Sequence, residues 1–448
     1  MPESPFGDET GIARMVVDWA ADRVVRPTDP KTSARTPEEL HRDAGVTITP
    51  HGIGAKAALE VFDSVLVPAT RAQDDPMNLA YIPSAPTRAA VAFDLATSAA
   101  NVFGGIWEAG AGAIFAENEA LHWIRELLGW PSTAGGTFVS GGTSGNLSAL
   151  HAARSTARAR LGGRPNGGWA IACAASAHSS IRSAASVLDV DVVPVRQDER
   201  GRLTGAALRP VLEAHPEVFA VVASAGTTNT GTVDDLASVS EVSRGHGVWM
   251  HVDGAYGGAA LAAPSVRDLF DGIEDADSFI VDPHKWLFAP YDCCALLYRD
   301  TELAREAHAQ KAVYLDGIDR EAINPSDLAI HLSRRARGLP LWFSLATHGT
   351  DRYAASVEQS LSTAREVAAY VRGSDHLRLL LEPMLSVVIF DRPGWSEEQV
   401  GAWSKVMAAT GQVLCIPTRF HGEPALRMAF VNPLTETARV IEVLETLR

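Results

Sequence analysis

Residues 247–286 read GVWMHVDGAYGGAALAAPSVRDLFDGIEDADSFIVDPHKW. Two short apolar runs lie within it, GVWMHVDG (247–254) and SFIVDP (278–283). Each runs out into an aspartate and then a Gly or Pro turn. Runs rich in β-branched and aromatic residues, bounded by turn residues, predict buried strands. Working outward, the pattern recurs. GTFVS (136–140), WAIACAAS (169–176), DVDVVPV (189–195) and VFAVVASAG (218–226) lie upstream, and CCALLYRD (293–300) lies downstream. Helical patterns separate most of these runs. Repeated strand–helix alternation predicts an α/β fold with a mostly parallel, seven-stranded central sheet covered by helices on both faces. In such sheets ligands bind beyond the carboxyl ends of the strands.

The flanks read differently. Residues 10–30 carry Ile12, Met15, Val16 and Trp19 at helical spacing, and a second helical segment follows near 53–69. They predict an N-terminal helical arm over residues 1–83. Residues 84–129 are again helical in pattern, ending in NEALHWIRELLGW and the stop signal Gly129-Trp130-Pro131. The segment ARARLGGRPNGG (157–168) reads as an exposed loop, and 334–372 as one long helical region. The last stretch mixes strands (LSVVIF, ALRMAFV) with helices (SEEQVGAWSKVMAAT, ETARVIEVLETL). A large α/β domain over 84–345 and a small α/β C-terminal domain over 346–448 are expected.

Composition bounds the function classes. The 448 residues are 46% apolar and 21% charged, which excludes wholesale disorder, collagen and small disulfide scaffolds. Lys and Arg number 39 against 54 Asp and Glu, a net charge of −15. This balance points away from nucleic acid and anionic membranes. No Lys/Arg-rich run with interleaved aromatics counters it. Cys173, Cys293, Cys294 and Cys415 form no C-x-x-C pair, so reduced, mostly buried thiols are expected, and no metal site. MPESPFGDETGIARM has no basic patch followed by an apolar stretch. The uncharged stretch from Leu127 to Ala153 is too rich in Gly, Ser and Thr for a membrane helix. A cytoplasmic protein is expected.

Five sites at strand ends could carry chemistry. The first is Ser140-Gly141-Gly142-Thr143-Ser144-Gly145-Asn146. Glycines let the backbone approach an anion, and the free amides of a helix start favour negative charge. Neither G-K-[ST] nor G-x-G-x-x-G is present, so a monoester phosphate suits it better than a nucleotide. A plain capped turn explains it equally well. The second is Asp253, at the end of an apolar run, where a carboxylate is unfavourable unless it meets a cation or donor. Service as a helix N-cap is the alternative. The third is Asp282-Pro283-His284-Lys285-Trp286. Only five of the 39 basic residues are lysines, so a lysine kept at a strand end is informative. Arg cannot easily lose its proton, whereas a desolvated Lys can form a Schiff base. The alternative is an ordinary surface lysine. His178 could stack on a planar ring or donate a proton, and the Thr227-Thr228 hydroxyls could bond a ring substituent.

Phosphate cup, His, Thr, Asp and Lys thus follow one another, each at a strand end of one sheet. A cofactor with a phosphate, a basic ring nitrogen and an aldehyde needs these partners. Pyridoxal 5′-phosphate is that cofactor.

The chain resembles the group II pyridoxal-phosphate-dependent amino acid decarboxylases, among them the aromatic-L-amino-acid, histidine and glutamate decarboxylases. The resemblance rests on VSGGTSGNLSALHAAR (139–154), AHSSIRSA (177–184), AGTTNTGTVDD (225–235), WMHVDGAYGG (249–258), DPHKWLFAPYDCCALLY (282–298) and LSRRARGLPLWFSLATHG (332–349). It implies a fold-type-I pyridoxal-phosphate-dependent transferase fold and a homodimer with active sites at the subunit interface. It implies that Lys285 forms the aldimine with the cofactor and that His284 lies beside it. Asp253 would pair with the ring nitrogen. Ala255 and His178 would take the two ring faces, and Thr228 would touch the cofactor. Thr143 and Ser144 would bind the phosphate. The substrate, an L-amino acid, would meet residues around Tyr81, Ser84 and Trp107. The reaction implied is decarboxylation to the amine and carbon dioxide through a quinonoid.

One departure qualifies that outcome. Many members carry a catalytic tyrosine on a loop ahead of the SRRxR segment. The corresponding LDGIDREAINPSDLAIHLSRR (315–335) has none, and Tyr314 lies just upstream. Relatives lacking that tyrosine can divert to oxygen-dependent deamination, giving an aldehyde. Either another group, such as His284 or His331, supplies the proton, or the outcome differs. An aminotransferase, a nucleotide-binding α/β protein and a non-catalytic homologue are the remaining alternatives. The intact set Asp253, His178 and Lys285 argues against the last. For the side chain, Trp107 would favour an aromatic substrate and an inward Glu108 a basic one. An acidic substrate would call for an inward Arg88 or Arg337.

Overall fold

The computed structural model describes residues 7, 9–31, 33–309, 322 and 324–448. The chain opens with helices α1 (Glu9–Val25), α2 (Pro37–Ala44) and α3 (Ala55–Val61), the last running into a π-helical turn at Phe62–Leu66. Helices α4 (Arg88–Ala100) and α5 (Trp107–Leu128) follow. The central segment then alternates: β1 (Gly135–Val139), α6 (Gly142–Leu161), β2 (Ala170–Ala174), α7 (Ser179–Leu188), β3 (Asp191–Val195), α8 (Gly205–Ala214), β4 (Val218–Ser224), α9 (Leu236–His246) and β5 (Trp249–Asp253). Strand β6 (Ser278–Val281), the short turn α10 (Pro283–Trp286), β7 (Cys294–Tyr298) and α11 (Thr301–His308) complete it.

Among the described residues these strands form one seven-stranded sheet, ordered β1-β7-β6-β5-β4-β2-β3. Strands β6, β5, β4, β2 and β3 pair in parallel, and β7 runs antiparallel to both its neighbours, β6 and β1. Every residue of β4 and β5 is buried, the mark of strands covered on both faces. One core cluster lies on each side of the sheet. The first is built on Phe138, Val221, Val252, Phe279 and Trp286, the second on Val139, Leu150, Ile171, Ile181 and Leu296.

Beyond the sheet come α12 (Leu339–His348), α13 (Thr350–Gly373), β8 (Arg378–Leu381), β9 (Val387–Asp391), α14 (Glu397–Ala409), β10 (Ile416–Phe420), β11 (Glu423–Ala429) and α15 (Thr437–Glu445). The four strands form an antiparallel sheet ordered β10-β11-β9-β8, with a third core cluster around Phe390, Trp403, Met428 and Phe430.

Three expectations are corrected here. The 157–168 segment is not all loop, because α6 continues to Leu161 before Gly162 caps it. The 334–372 region is two helices, broken at Gly349, whose φ of +77° lies in the left-handed region that favours glycine. Strands β8 and β10 went unread because neither buries a residue fully: β8 offers only three leucines between charged residues, and β10 carries Pro417 and Arg419.

Candidate active site

Strand register places the site. Ser224, the last residue of β4, pairs with Asp253, the last of β5, and Asp253 pairs with Ile280 of β6. The Lys285 turn leaves the same end of β6. A cleft of about 830 Å³, counted to its mouth, opens over these carboxyl ends. Thr143, His178, Thr228, Asp253, Ala255, His284 and Lys285 all line it.

The floor is a chain of hydrogen bonds. Asn146 Nδ2 donates to Asp253 Oδ2 at 2.9 Å and to Ser180 Oγ at 2.8 Å. Its Oδ1 must therefore accept, and the donor is His251 Nε2 at 2.8 Å. This fixes the His251 proton on Nε2 and leaves Nδ1 to accept from Ser278 Oγ at 2.8 Å. Burial pushes His251 down to about 4, so the ring is neutral. The other carboxylate oxygen, Asp253 Oδ1, accepts from the Ala255 amide at 3.1 Å. Ser180 Oγ, having accepted from Asn146, donates to His178 Nδ1 at 2.8 Å, and the Ser180 amide points at the same nitrogen at 3.2 Å. His178 thus carries its ring proton on Nε2 and caps α7.

The wall carries the amine. Lys285 Nζ lies 2.9 Å from Asp282 Oδ2. Burial pulls the lysine down, but the Asp282 carboxylate, with Asp253 and Cys294 behind it, outweighs burial and holds the ammonium above its ordinary range. His284 Nε2 is 3.8 Å from the same Asp282 oxygen, and burial keeps that imidazole below its usual value. Trp286, fully buried, stacks on Tyr256 with centroids 5.3 Å apart and planes at 16°. The Tyr256 hydroxyl accepts from the Ser386 amide at 3.0 Å. The turn bearing Lys285 is thereby tied to the segment leading into β9.

The third wall is the start of α6. Gly141 precedes it and supplies no side-chain cap, so the first amides remain free. A Cβ on Gly142 would come within 3.2 Å of Asp282 Oδ2 and 3.3 Å of the Ala255 side chain. The Ser144 hydroxyl lies behind this face, 3.0 Å from Ser140 Oγ, and is not in the lining. Thr228 sits on an exposed turn held from below by Asp234, whose carboxylate accepts from the Ser224 and Leu203 amides, each at 2.7 Å.

The residues expected around the substrate are not brought together with these. Tyr81 is 67% exposed. Ser84 is buried and donates to the Ala289 carbonyl at 3.2 Å. The Trp107 amide donates to Asn324 Oδ1 at 2.9 Å, at the start of α5, and Glu108 is exposed. None of the three lines the cleft. Tyr314 lies outside the described residues, as does most of the tyrosine-free segment's first half. His331 is placed, with Nε2 buried and unpartnered, and it does not line the cleft. Sequence reasoning missed Asp282, Asn146 and Ser180. Asp282 stood beside Lys285 in the quoted motif, and Asn146 closed the glycine turn, but only geometry shows what each touches.

These walls fit a pyridoxal phosphate. The uncapped helix start with Thr143 suits a phosphate. A buried carboxylate held by two donors suits a protonated ring nitrogen, and the lone lysine suits the aldehyde. Among the described residues no group of three His, Cys, Asp or Glu could hold a metal, and no helix is long and apolar enough to cross a membrane.

Comparison with known proteins agrees. The aromatic-L-amino-acid decarboxylase of Bacillus atrophaeus is 29% identical over 392 residues, covering 84% of this chain and 81% of the relative. The 4-hydroxyphenylacetaldehyde synthase of Rhodiola rosea is 27% identical over 355 residues, covering 76% and 72%. The crystal structure of Oryza sativa TDC with PLP and tryptamine superposes with a TM-score of 0.89 at 25% identity, covering 100% of this chain and 98% of that one. The fold is that of the fold-type-I pyridoxal-phosphate enzymes. Residues 37–392 match the pyridoxal-dependent decarboxylase conserved domain, and the chain belongs to that family of lyases.

Proposed function

We propose that this chain decarboxylates an L-amino acid to its amine and carbon dioxide, working as a homodimer. One observation carries the reading. Lys285, Asp253 and the uncapped start of α6 open into a single cleft at one end of the sheet. When bound, pyridoxal phosphate supplies an aldehyde that joins an amine and a ring that takes up the electron pair a departing carboxylate leaves.

The chain's own residues do the rest. Thr143, with the α6 amides and Ser144 behind them, holds the phosphate, and Thr228 bonds the cofactor's edge. Asp253, fixed by Asn146 and the Ala255 amide, holds a proton on the ring nitrogen. His178 and Ala255 flank the ring, so its plane and the bond that breaks are set by the protein. Lys285 holds the aldehyde and later releases the product. His284, neutral and close to Asp282, is placed to return a proton to the substrate carbon.

One feature supports a pair of copies. Helix α1 buries none of its residues, and Ile12, Val16 and Val17 are exposed along it. Unpartnered apolar surface of this kind marks interaction sites. Tyr81 and Trp107 enter the pocket in this reading only through the second copy, whereas Ser84 acts as a support whose hydroxyl is committed to Ala289. Light scattering on the purified chain reads the assembly.

The tyrosine-free segment at 315–335 favours a second outcome, oxygen-dependent deamination to an aldehyde. One experiment separates the two. Cofactor-loaded protein is incubated with each amino acid, aromatic ones first, and products are followed by mass spectrometry with carbon dioxide and peroxide detection. Amine without peroxide supports decarboxylation, and aldehyde with peroxide supports the second reading. Lys285→Ala is expected to lose the cofactor's bound absorption and fall to background turnover. A variant with normal steady-state activity would refute the assignment.

A further inference from the structure

Asp282 has no role in the reading above, yet it is the group closest to the amine. Its Oδ2 sits 2.9 Å from Lys285 Nζ and 3.8 Å from His284 Nε2. Its Oδ1 is buried with no hydrogen-bond partner. Asp282 is 2% exposed, and its backbone amide is tied to the Ala255 carbonyl at 3.0 Å, so the carboxylate cannot swing out to water. A carboxylate held this way and half unsatisfied is unfavourable unless a charge beside it is always present. An ordinary N-cap role does not account for it, because Asp282 precedes the Lys285 turn without capping it.

We propose that Asp282 is the proton-holding partner of the Lys285 nitrogen. It holds the proton on nitrogen while the amine rests as the ammonium, and takes it so that the freed lone pair can attack a carbonyl carbon. In that step the Nζ–H bond breaks and an Oδ2–H bond forms, the carboxylate becomes a carboxylic acid, and no oxidant or reductant is involved. The reverse transfer lets the amine leave as an ammonium. His284 is the next group in line, and its Nδ1 is occupied by the Cys293 backbone at 2.7 Å. The other titratable groups facing this pair are Asp253, Asp292, Cys294 and Tyr291, and Asp292 is held by Arg337 Nε at 2.8 Å. Burial raises Cys294 and Tyr291, which keeps both neutral. Asp253 is committed to Asn146 and the Ala255 amide. Asp282 is therefore the base on hand.

The inference rests on the assignment of Lys285 as the residue that joins the cofactor, and its test separates the two. In full-length, cofactor-loaded protein, the absorption of bound pyridoxal phosphate is titrated with pH. The bound band itself tests Lys285. Its midpoint tests Asp282. Asp282→Asn keeps the shape and removes the charge, and is expected to retain the band while its midpoint falls by about one pH unit or more, a tenfold loss of proton affinity. Asp282→Glu is expected to restore most of the shift. A band with an unmoved midpoint in Asp282→Asn overturns the proposal and leaves Lys285 standing. Should Asp282→Asn not fold, the Lys285 titration in the wild-type chain without cofactor decides instead. With only five lysines, it is followed by the pH dependence of labelling at that residue. A midpoint above the ordinary lysine value supports the pairing, and one below it overturns it.

Discussion

Asn146 is the residue through which the floor of the cleft is built. Its amide supplies two donors and one acceptor, and all three are used, on Asp253, Ser180 and His251. Removing it leaves a buried carboxylate oxygen and a buried imidazole N–H without partners, each a loss of about 1–3 kcal/mol. Asn146→Ala is therefore expected to weaken cofactor retention by roughly 5- to 100-fold, because Asp253 loses the donor that aims it. Asn146→Asp is expected to be worse, since it sets a second carboxylate against Asp253. Equilibrium dialysis against pyridoxal phosphate measures both, and unchanged retention in the alanine variant would mean that the Ala255 amide alone orients Asp253. Asp253 and Lys285 were legible in the sequence, because a carboxylate ending a buried strand and a rare lysine beside a strand end are anomalies that patterning exposes. Asn146 was not, because an asparagine after a glycine turn is what any capped helix shows. What distinguishes it is a contact with residues more than 100 positions away, which no local pattern encodes.

At the scale of elements, the turn ahead of α12 is held by a buried ion pair. Arg334 and Glu117 are 1% and 2% exposed, and Arg334 Nη2 meets Glu117 Oε2 at 2.6 Å. The same carboxylate accepts from the Gly338 amide at 2.8 Å, and Arg334 Nη1 donates to the Gly104 carbonyl at 3.0 Å. The pair thus fastens residues 334–338 and the 104 turn to α5. Breaking one side of such a pair leaves a buried charge alone, at about 3–5 kcal/mol. Arg334→Met is expected to lower stability by about that amount in urea denaturation, with Lys285 untouched. Arg334→Met with Glu117→Leu is expected to recover part of it, since neither charge is then stranded. If the double variant is no better than the single, the backbone bonds to Gly338 and Gly104 carry the clamp. Elements of this kind divide by how they are buried. Strands β4 and β5 were read correctly because every position is covered and the sequence is mostly apolar, with β-branched and aromatic residues throughout. Strands β8 and β10 lie where polar and apolar positions mix, and the long helical run over 334–372 hid its break because Gly349 is tolerated by pattern and decisive only by its φ.

Across the whole molecule, several histidines are held neutral by burial in different places. His251 sits under the cleft, while His308 and His331 flank the 148–151 stretch and the 325–334 turn. Burial pushes each of the three down to about 4, with His151 and His331 adding to the effect at His308 and Arg334 at His331. In the unfolded chain each takes up a proton near its ordinary value of about 6.5. Between those limits the unfolded chain holds more protons than the folded one, so stability falls as pH drops from about 6.5 toward 4. Asp234 runs the other way. Burial raises it to about 7 against the Ser224 and Leu203 amides, so between its unfolded value near 3.8 and about 7 the folded chain holds the extra proton. Its contribution is therefore present at low pH and lost as pH rises through 7. The three outweigh the one, His151 and His284 are shifted by burial the same way as the three and Asp75 and Asp277 the same way as Asp234, and the net expectation is a urea midpoint lower at pH 5 than at pH 7.5. His308→Gln is expected to flatten that dependence, since one of the three proton uptakes is removed, while Asp234→Asn is expected to steepen it. A midpoint that rises on acidification across this window would show that Asp234 dominates and that the buried histidines open to water before the chain unfolds.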